Sequence, residues 1–283
     1  MDNANLKDIE LHNLKYEKLM NEDPNSIFKP RINILSLFQK KIKRISGNVL
    51  DIGAGTGYAS IWLAKNTDAK SIICLENSDF AVKNLIPRNI EYHKVQSKVQ
   101  ALLGSFEDLK FINHFDFVVS FGSVHHSSCL FKCMKSLQKV LKNNGYLIMS
   151  EPSMDNNVSN EEFVKKYESE ETFQGKKIKN YERNDRFFRE AEYITAAVYS
   201  GFDLKLKDAE KKNSIEKYKK IKIIKNLILK KEILKLLKII ITYPLKFLNF
   251  NFKGKIKNRP RPTIFFFQKK NTNYIPHVWD KLK

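Results

Sequence analysis

Three glycines, Gly53, Gly55 and Gly57, fall within five positions of "VLDIGAGTGYAS" (49–60), directly behind a short apolar run. A turn this bare lets a ligand lie flat against backbone at a helix N-terminus. Nucleotides, dinucleotides and sulfonium nucleosides can all occupy such a turn. The dinucleotide pattern G-x-G-x-x-G fails, because Tyr58 stands where its third glycine would fall. No Lys-Ser/Thr pair follows to make a phosphate loop. Asp51 closes the preceding apolar run, where a carboxylate suits a cationic ligand better than a phosphate. Nineteen residues beyond Gly57, Glu76 ends the next apolar run, "SIICLE". An acid there can accept hydrogen bonds from both hydroxyls of an unphosphorylated ribose, so loop and acid together point to a nucleoside.

A second group lies further along. His125 and His126 follow the apolar run "FDFVVSFG", and Glu151 ends "GYLIMSE". In open α/β sheets ligands bind past the carboxyl ends of strands, which is where these residues fall. Adjacent side chains point in different directions, so only one of the two histidines would face a ligand; the alternative is that they cap the next helix or bond backbone. His125, Cys129 and Cys133 are spaced i, i+4, i+8, but they would share one helix face without a fourth ligand. Packing of buried cysteine explains that spacing, and no metal is expected.

The elements that must position these groups follow from the pattern of the chain. Residues 1–47 read as a helical cap, with "RINILSLFQKKIKRI" apolar at helical spacing. Strands "NVLDIG" and "KSIICLE" then alternate with helices "GYASIWLAKN" and "DFAVKNLI". Either "IEYHKVQ" or "VQALLG" supplies the third strand. "FDFVVSFG" and "GYLIMSEP" are the fourth and fifth, flanking the helix "CLFKCMKSLQKVLKNN", and "FFREAEYITAAVYSG" is a helix with Gly201 as its C-cap. "FDLKLKD" and "RPTIFFFQ" are the last two strands. Apolar strands alternating with helices imply a mostly parallel sheet covered on both faces.

The net charge of +20 resides mostly in one segment. Residues 204–283 hold 23 of the 51 basic side chains and 5 of the 31 acidic ones. Most of the excess belongs to an amphipathic insert at 209–258, where Ile215, Tyr218, Ile221 and Ile224 recur at threes and Lys231, Lys235 and Lys238 line another face until Pro244. A lid or acceptor cap is the first reading of this insert, contact with a membrane surface the second, and nucleic acid the last. Lysine outnumbers arginine by 43 to 8, whereas nucleic-acid recognition favours the arginine fork. Three cysteines, a polar start and no apolar run of spanning length fit a cytoplasmic protein, with 271–283 as a tail.

At this point the sequence resembles the class I S-adenosylmethionine-dependent methyltransferases. "VLDIGAGTG" and "CLE" are similar to their first two motifs. "GSFEDL" (104–109), "FDFVVSFGSVHH" (115–126) and "VLKNNGYLIMSEP" (140–152) are similar to the motifs of strands three, four and five. The resemblance covers about 45–205. It implies a Rossmann-like, doubly wound seven-stranded sheet, the sixth strand parallel to the first five and the last antiparallel, spanning 48–208 and 259–270. It also implies S-adenosylmethionine as cofactor. Gly53, Ala54, Gly55 and Gly57 would face its methionine and ribose, Asp51 its amino group and Glu76 its ribose diol, with Ser120 completing the set. The family's acid after strand three is absent: Ser105 occupies that position, so Ser105 and the Phe106 backbone, or Glu107, would meet adenine.

Similar small-molecule O-methyltransferases place a histidine after strand four and an acid at the end of strand five. The expectation is therefore methyl transfer to oxygen of a small-molecule, sugar or lipid-linked acceptor. His125 or His126 would act as base, with Glu151 orienting the base or the acceptor. "SFGS" stands where a base N-methyltransferase would carry Asn/Asp-Pro-Pro-aromatic. RNA methylation and a non-catalytic cofactor-binding scaffold are the alternatives. "RNDRFFREAEY" (183–193) reads either as a substrate-lining stretch or as a helix start with a charged outer side.

Overall fold

The computed structural model describes residues 3–25, 32–173, 175–183, 185–209 and 260–270. The insert beyond Ala209 and the tail at 271–283 lie outside the described residues. Among those described, no helix is long and apolar enough to cross a membrane.

Two helices open the chain, α1 (Asn3–Leu19) and α2 (Ile32–Lys41). Then come β1 (Ser46–Ile52), α3 (Tyr58–Asn66), β2 (Asp68–Glu76), a π-helical turn (Ala81–Leu85) running into α4 (Ile86–Tyr92), and β3 (Val99–Leu103). The third strand is thus "VQALL"; "IEYH" instead completes a helix that Pro87 helps to start. Next follow β4 (Phe115–Phe121), α5 (Leu130–Val140) and β5 (Leu141–Ser153). An excursion absent from the sequence reading comes after it: α6 (Asn160–Glu168) and a hairpin of β6 (Glu170–Phe173) and β7 (Lys176–Lys179). The chain returns through α7 (Glu190–Tyr199), β8 (Phe202–Ala209) and β9 (Arg261–Lys269).

The sheet runs β3-β2-β1-β4-β5-β9-β8. Pairs among the first five strands are parallel, and β9 lies antiparallel to β5. This is the seven-stranded, Rossmann-like sheet that the resemblance implied. Its chain order reverses between β1 and β4, so the carboxyl ends of these two strands flank the crevice where such sheets take ligands.

Strand alternation divides the core between the two faces. Val49, Phe117, Val119, Ile148 and Phe266 pack with Phe38 of α2 and Ile61 of α3 on one side. Leu50, Val118, Leu147, Phe265 and Phe267 pack with Met134 of α5 and Tyr193 of α7 on the other. The same parity sorts the polar strand ends. Asp51 and Glu76 share the α3 side, whereas Ser120 and Glu151 share the α5 side. Two chemically distinct half-sites therefore arise at one edge of one sheet.

Candidate functional site

On the first side, the loop after β1 turns through Gly53, Gly55 and Gly57, all at positive φ. At Gly55 the backbone is at φ +59°, and among the described residues an added Cβ would meet within 4 Å only the Tyr16 hydroxyl, 3.5 Å away. A cradle open to a ligand thus lies between that loop and α1. Glu76 is buried beside it: its Oε2 accepts the Gly55 N–H at 2.8 Å and its Oε1 accepts the Asn77 and Ser78 N–H groups. The Ser78 hydroxyl in turn donates to Asn13 of α1 at 2.5 Å. Asp51 accepts from the Ser60 backbone at 3.1 Å and hydroxyl at 2.8 Å, in the first turn of α3. Burial drives its pKa up, Ser60 holds it back, and the charge of Glu76 adds to the rise, which ends at about 7.

Of the remaining residues expected at the cofactor, Ala54 donates its N–H to the Leu75 carbonyl, which ties loop to strand β2. Ser105 is exposed and its hydroxyl accepts the Glu107 N–H. Phe106 packs against the α5-side core. Glu107 turns to Ser128, accepting its N–H and hydroxyl. Ser120 sits deeper than a ligand-facing position: it is fully buried and its hydroxyl donates to Glu151.

On the second side, Glu151 organises the loop after β4. Its Oε1 accepts from the Ser120 hydroxyl at 2.8 Å and from the Ser123 and Val124 N–H groups. Its Oε2 takes the His125 N–H and His125 Nδ1, the latter at 2.8 Å. His125 Nε2 faces Asp185 Oδ1 at 3.2 Å, so one imidazole bridges two carboxylates. Burial opposes its protonation, but bonds to Asp185 and Glu151 outweigh burial and raise its pKa to about 9. Burial likewise works against ionised Glu151 and Asp185, and His125 reverses it: Glu151 falls below its ordinary value and Asp185 reaches about 2.

His126 points elsewhere. Its ring lies half-buried with Nδ1 3.3 Å from the Arg183 carbonyl and 3.5 Å from Asp8 Oδ2, and His12 stands edge-on to it. Burial and the neighbouring His125 charge push its pKa down to about 4. Arg183 completes the group, with Nε 3.4 Å from Asp8 and one terminal nitrogen 3.4 Å from Asp185. The histidine pair is therefore divided as adjacency demands, His125 toward the strand β5 acid and His126 toward α1.

Asp8, His12, Tyr16, Arg183 and Asp185 were not singled out by sequence reasoning as site residues. The first three recur at i, i+4, i+8 on α1, a spacing that puts them on one helix face. Arg183 and Asp185 belong to the charged stretch 183–193, which divides: its start joins the site, whereas Arg189 binds the Val158 carbonyl and stacks on Phe163. Cys129 and Cys133 do not join His125. It lies in a short 3-10 turn (Val124–His126), Cys129 is exposed and Cys133 is in the core.

Comparison with known proteins bears on this geometry. A family model for a methyltransferase domain matches residues 45–192. A glycine/sarcosine/dimethylglycine N-methyltransferase of Actinopolyspora halophila is 32% identical over 133 residues, 44% of this chain and 23% of that protein. A sarcosine/dimethylglycine N-methyltransferase of Aphanothece halophytica is 30% identical over 145 residues, 49% of this chain and 50% of that protein. The matched part is thus half or less of the length of these curated relatives. Among solved structures, a putative sarcosine dimethylglycine methyltransferase from Galdieria sulphuraria superposes with a TM-score of 0.58 at 17% identity, covering 85% of this chain and 84% of that one. Phosphoethanolamine N-methyltransferase 2 of Haemonchus contortus, crystallised with S-adenosyl-L-methionine, gives 0.55 at 16% identity, covering 85% and 52%. At these identities the structures share the fold.

Proposed function

The chain belongs to the S-adenosylmethionine-dependent methyltransferases, and from that premise we propose that it methylates the nitrogen of a small-molecule amine. The observation that carries the reading is the juxtaposition of two half-sites at the β1/β4 crevice under one helix. Glu76 and the open backbone at Gly55 form the donor side, His126 and Asp8 the acceptor side, and α1 contributes Tyr16 to the first and Asp8 and His12 to the second. A roof this close suits a small acceptor rather than a polymer.

When bound, S-adenosylmethionine supplies a methyl group on a sulfonium, an electrophile that carries its own leaving group. The residues present fit it: the loop leaves the Gly55 face clear, Glu76 fixes that loop from below, and Asp51 offers a carboxylate near the helix start. What the protein must then add is alignment, because methyl transfer to a neutral nucleophile moves a positive charge rather than creating one.

Choice of acceptor atom turns on the histidines. An oxygen acceptor, expected from the sequence, needs a group to take its proton. His125 has both ring nitrogens engaged by Glu151 and Asp185, and burial beside the His125 charge leaves His126 a weak base with a pKa of about 4. A neutral amine brings its own lone pair and releases any proton to solvent after transfer. The relatives named for glycine, sarcosine and dimethylglycine support the nitrogen reading. The names of those two relatives point to small amines rather than to a sugar or lipid-linked acceptor, and the insert at 209–258 lies outside the described residues beyond Ala209.

Incubation with methyl-labelled S-adenosylmethionine and a panel of small amines, with matched alcohols and an RNA fraction as competitors, tests the reading. Label on amine nitrogen is the expected result. Label confined to oxygen or to RNA would overturn it.

A further inference from the structure

The geometry points to a divalent transition-metal site on the acceptor side, formed by His125, His126 and Asp185. One donor atom from each of the three lies within 4.8 Å of the other two. His125 Nε2 and Asp185 Oδ1 are 3.2 Å apart, near the ~3.4 Å between neighbouring ligands that bonds of about 2.1 Å at the tetrahedral angle give. Two imidazoles and one carboxylate suit Zn²⁺, Fe²⁺ or Mn²⁺ and leave coordination positions open for an acceptor or water.

The surrounding residues strengthen the assignment. A ligating histidine ordinarily donates its other ring nitrogen to an oxygen that fixes its orientation. Here Glu151 sits 2.8 Å from His125 Nδ1, and the Arg183 carbonyl 3.3 Å and Asp8 3.5 Å from His126 Nδ1. Asp185 is held from its second oxygen, Oδ2, by Arg183, which leaves Oδ1 turned to His125. These contacts hold the three side chains beside one another. The charge also balances. With neutral imidazoles, Glu151, Asp185 and Asp8 against Arg183 leave two negative charges, which one divalent cation cancels. On binding, the ion takes the place of the proton between His125 Nε2 and Asp185, and that proton passes to solvent. The donors come from the β4 loop and from the stretch before α7, the arrangement from two elements that the His125, Cys129, Cys133 spacing lacks.

The site does not depend on which atom is methylated, and its test reads metal uptake alone. Full-length protein stripped with a chelator is titrated with Co²⁺ by visible absorption and with Zn²⁺ by calorimetry. One equivalent is expected, with ligand-field bands in the Co²⁺ form. Asp185→Asn and His126→Ala should each abolish stoichiometric uptake, Glu151→Gln should weaken it about 10- to 100-fold, and Cys129→Ala should leave it unchanged. Binding of S-adenosylhomocysteine, which uses the loop at 53–57, verifies that each variant is folded. Absence of a 1:1 complex in the wild type, or uptake by folded Asp185→Asn as tight as wild type, overturns the site and leaves the cluster an ion-pair network.

Discussion

A Cβ built on Gly53 would lie 2.4 Å from the Cβ of Ser123, so the loop after β1 and the loop after β4 touch through a glycine. Ser123 is itself braced, its hydroxyl donating to the Ile52 carbonyl at 2.9 Å and its N–H to Glu151. The two half-sites are held in register by this contact rather than by their strands alone.

Gly53→Ala and Gly55→Ala should consequently fail in different ways. Both positions have positive φ, which costs a non-glycine residue of order 1–3 kcal/mol. At Gly53 the new methyl also overlaps Ser123, so unfolding midpoints should drop further there. At Gly55 the methyl meets, among the described residues, only the Tyr16 hydroxyl but fills the proposed ligand cradle. S-adenosylhomocysteine affinity should then fall more than tenfold with the smaller stability loss. Calorimetric titration beside urea melts of both variants checks the contrast, and equal stability losses would contradict it.

Glu151→Ala should be among the more destabilising single changes in the chain. It strands the N–H groups of Ser123, Val124 and His125 and leaves the His125 ring with Asp185 alone. Breaking a buried charged pair of this kind costs about 3–5 kcal/mol. The measurement is the free energy of urea unfolding, and a loss below about 1 kcal/mol would mean that the loop does not depend on this carboxylate.

Much of this arrangement could be read before the structure. The apolar strands carry their own length and parity, and the glycines with Glu76 at strand ends mark what we propose as the donor side. The third strand could not be chosen from the sequence, because "IEYHKVQ" and "VQALLG" are both apolar enough. Pairing of Val99–Leu103 with β2 decides it. The proposed acceptor side was half legible: His125, His126 and Glu151 stand at strand ends, but the contacts that divide them depend on Asp185 and Asp8. Those partners reach the site from the excursion after β5 and from α1, segments 175 residues apart where Lys7 meets Glu182. No local periodicity encodes a contact of that range.

Glu76→Gln should separate loop support from fold stability. Two oxygens of the carboxylate accept three backbone N–H groups, and the amide can keep acceptors on one side only. The Gly55 N–H or the Asn77–Ser78 pair then faces a donor. Affinity for S-adenosylhomocysteine should drop at least about tenfold, since hydrogen bonds to a charged group contribute roughly 1.5–3 kcal/mol. Unchanged affinity would remove Glu76 from the donor side.

Asp51 supplies a pH signature of its own. Its carboxyl titrates at about 7 in the folded protein, against about 3.9 in an unfolded chain. Between these values the folded state holds a proton that the unfolded state has released. Raising the pH from 4 to 7 therefore removes stability at this site, by about 4 kcal/mol in total, and above pH 7 the loss is complete. Asp51→Asn cannot titrate, and its amide oxygen can still accept from Ser60. The difference in unfolding free energy, wild type minus Asp51→Asn, should thus become steadily less favourable to wild type across pH 4–7 and level off beyond it. Parallel urea melts of the two proteins at half-unit pH intervals measure that difference. A flat difference across the window would mean that Asp51 remains ionised throughout, with Ser60 and the start of α3 offsetting its burial.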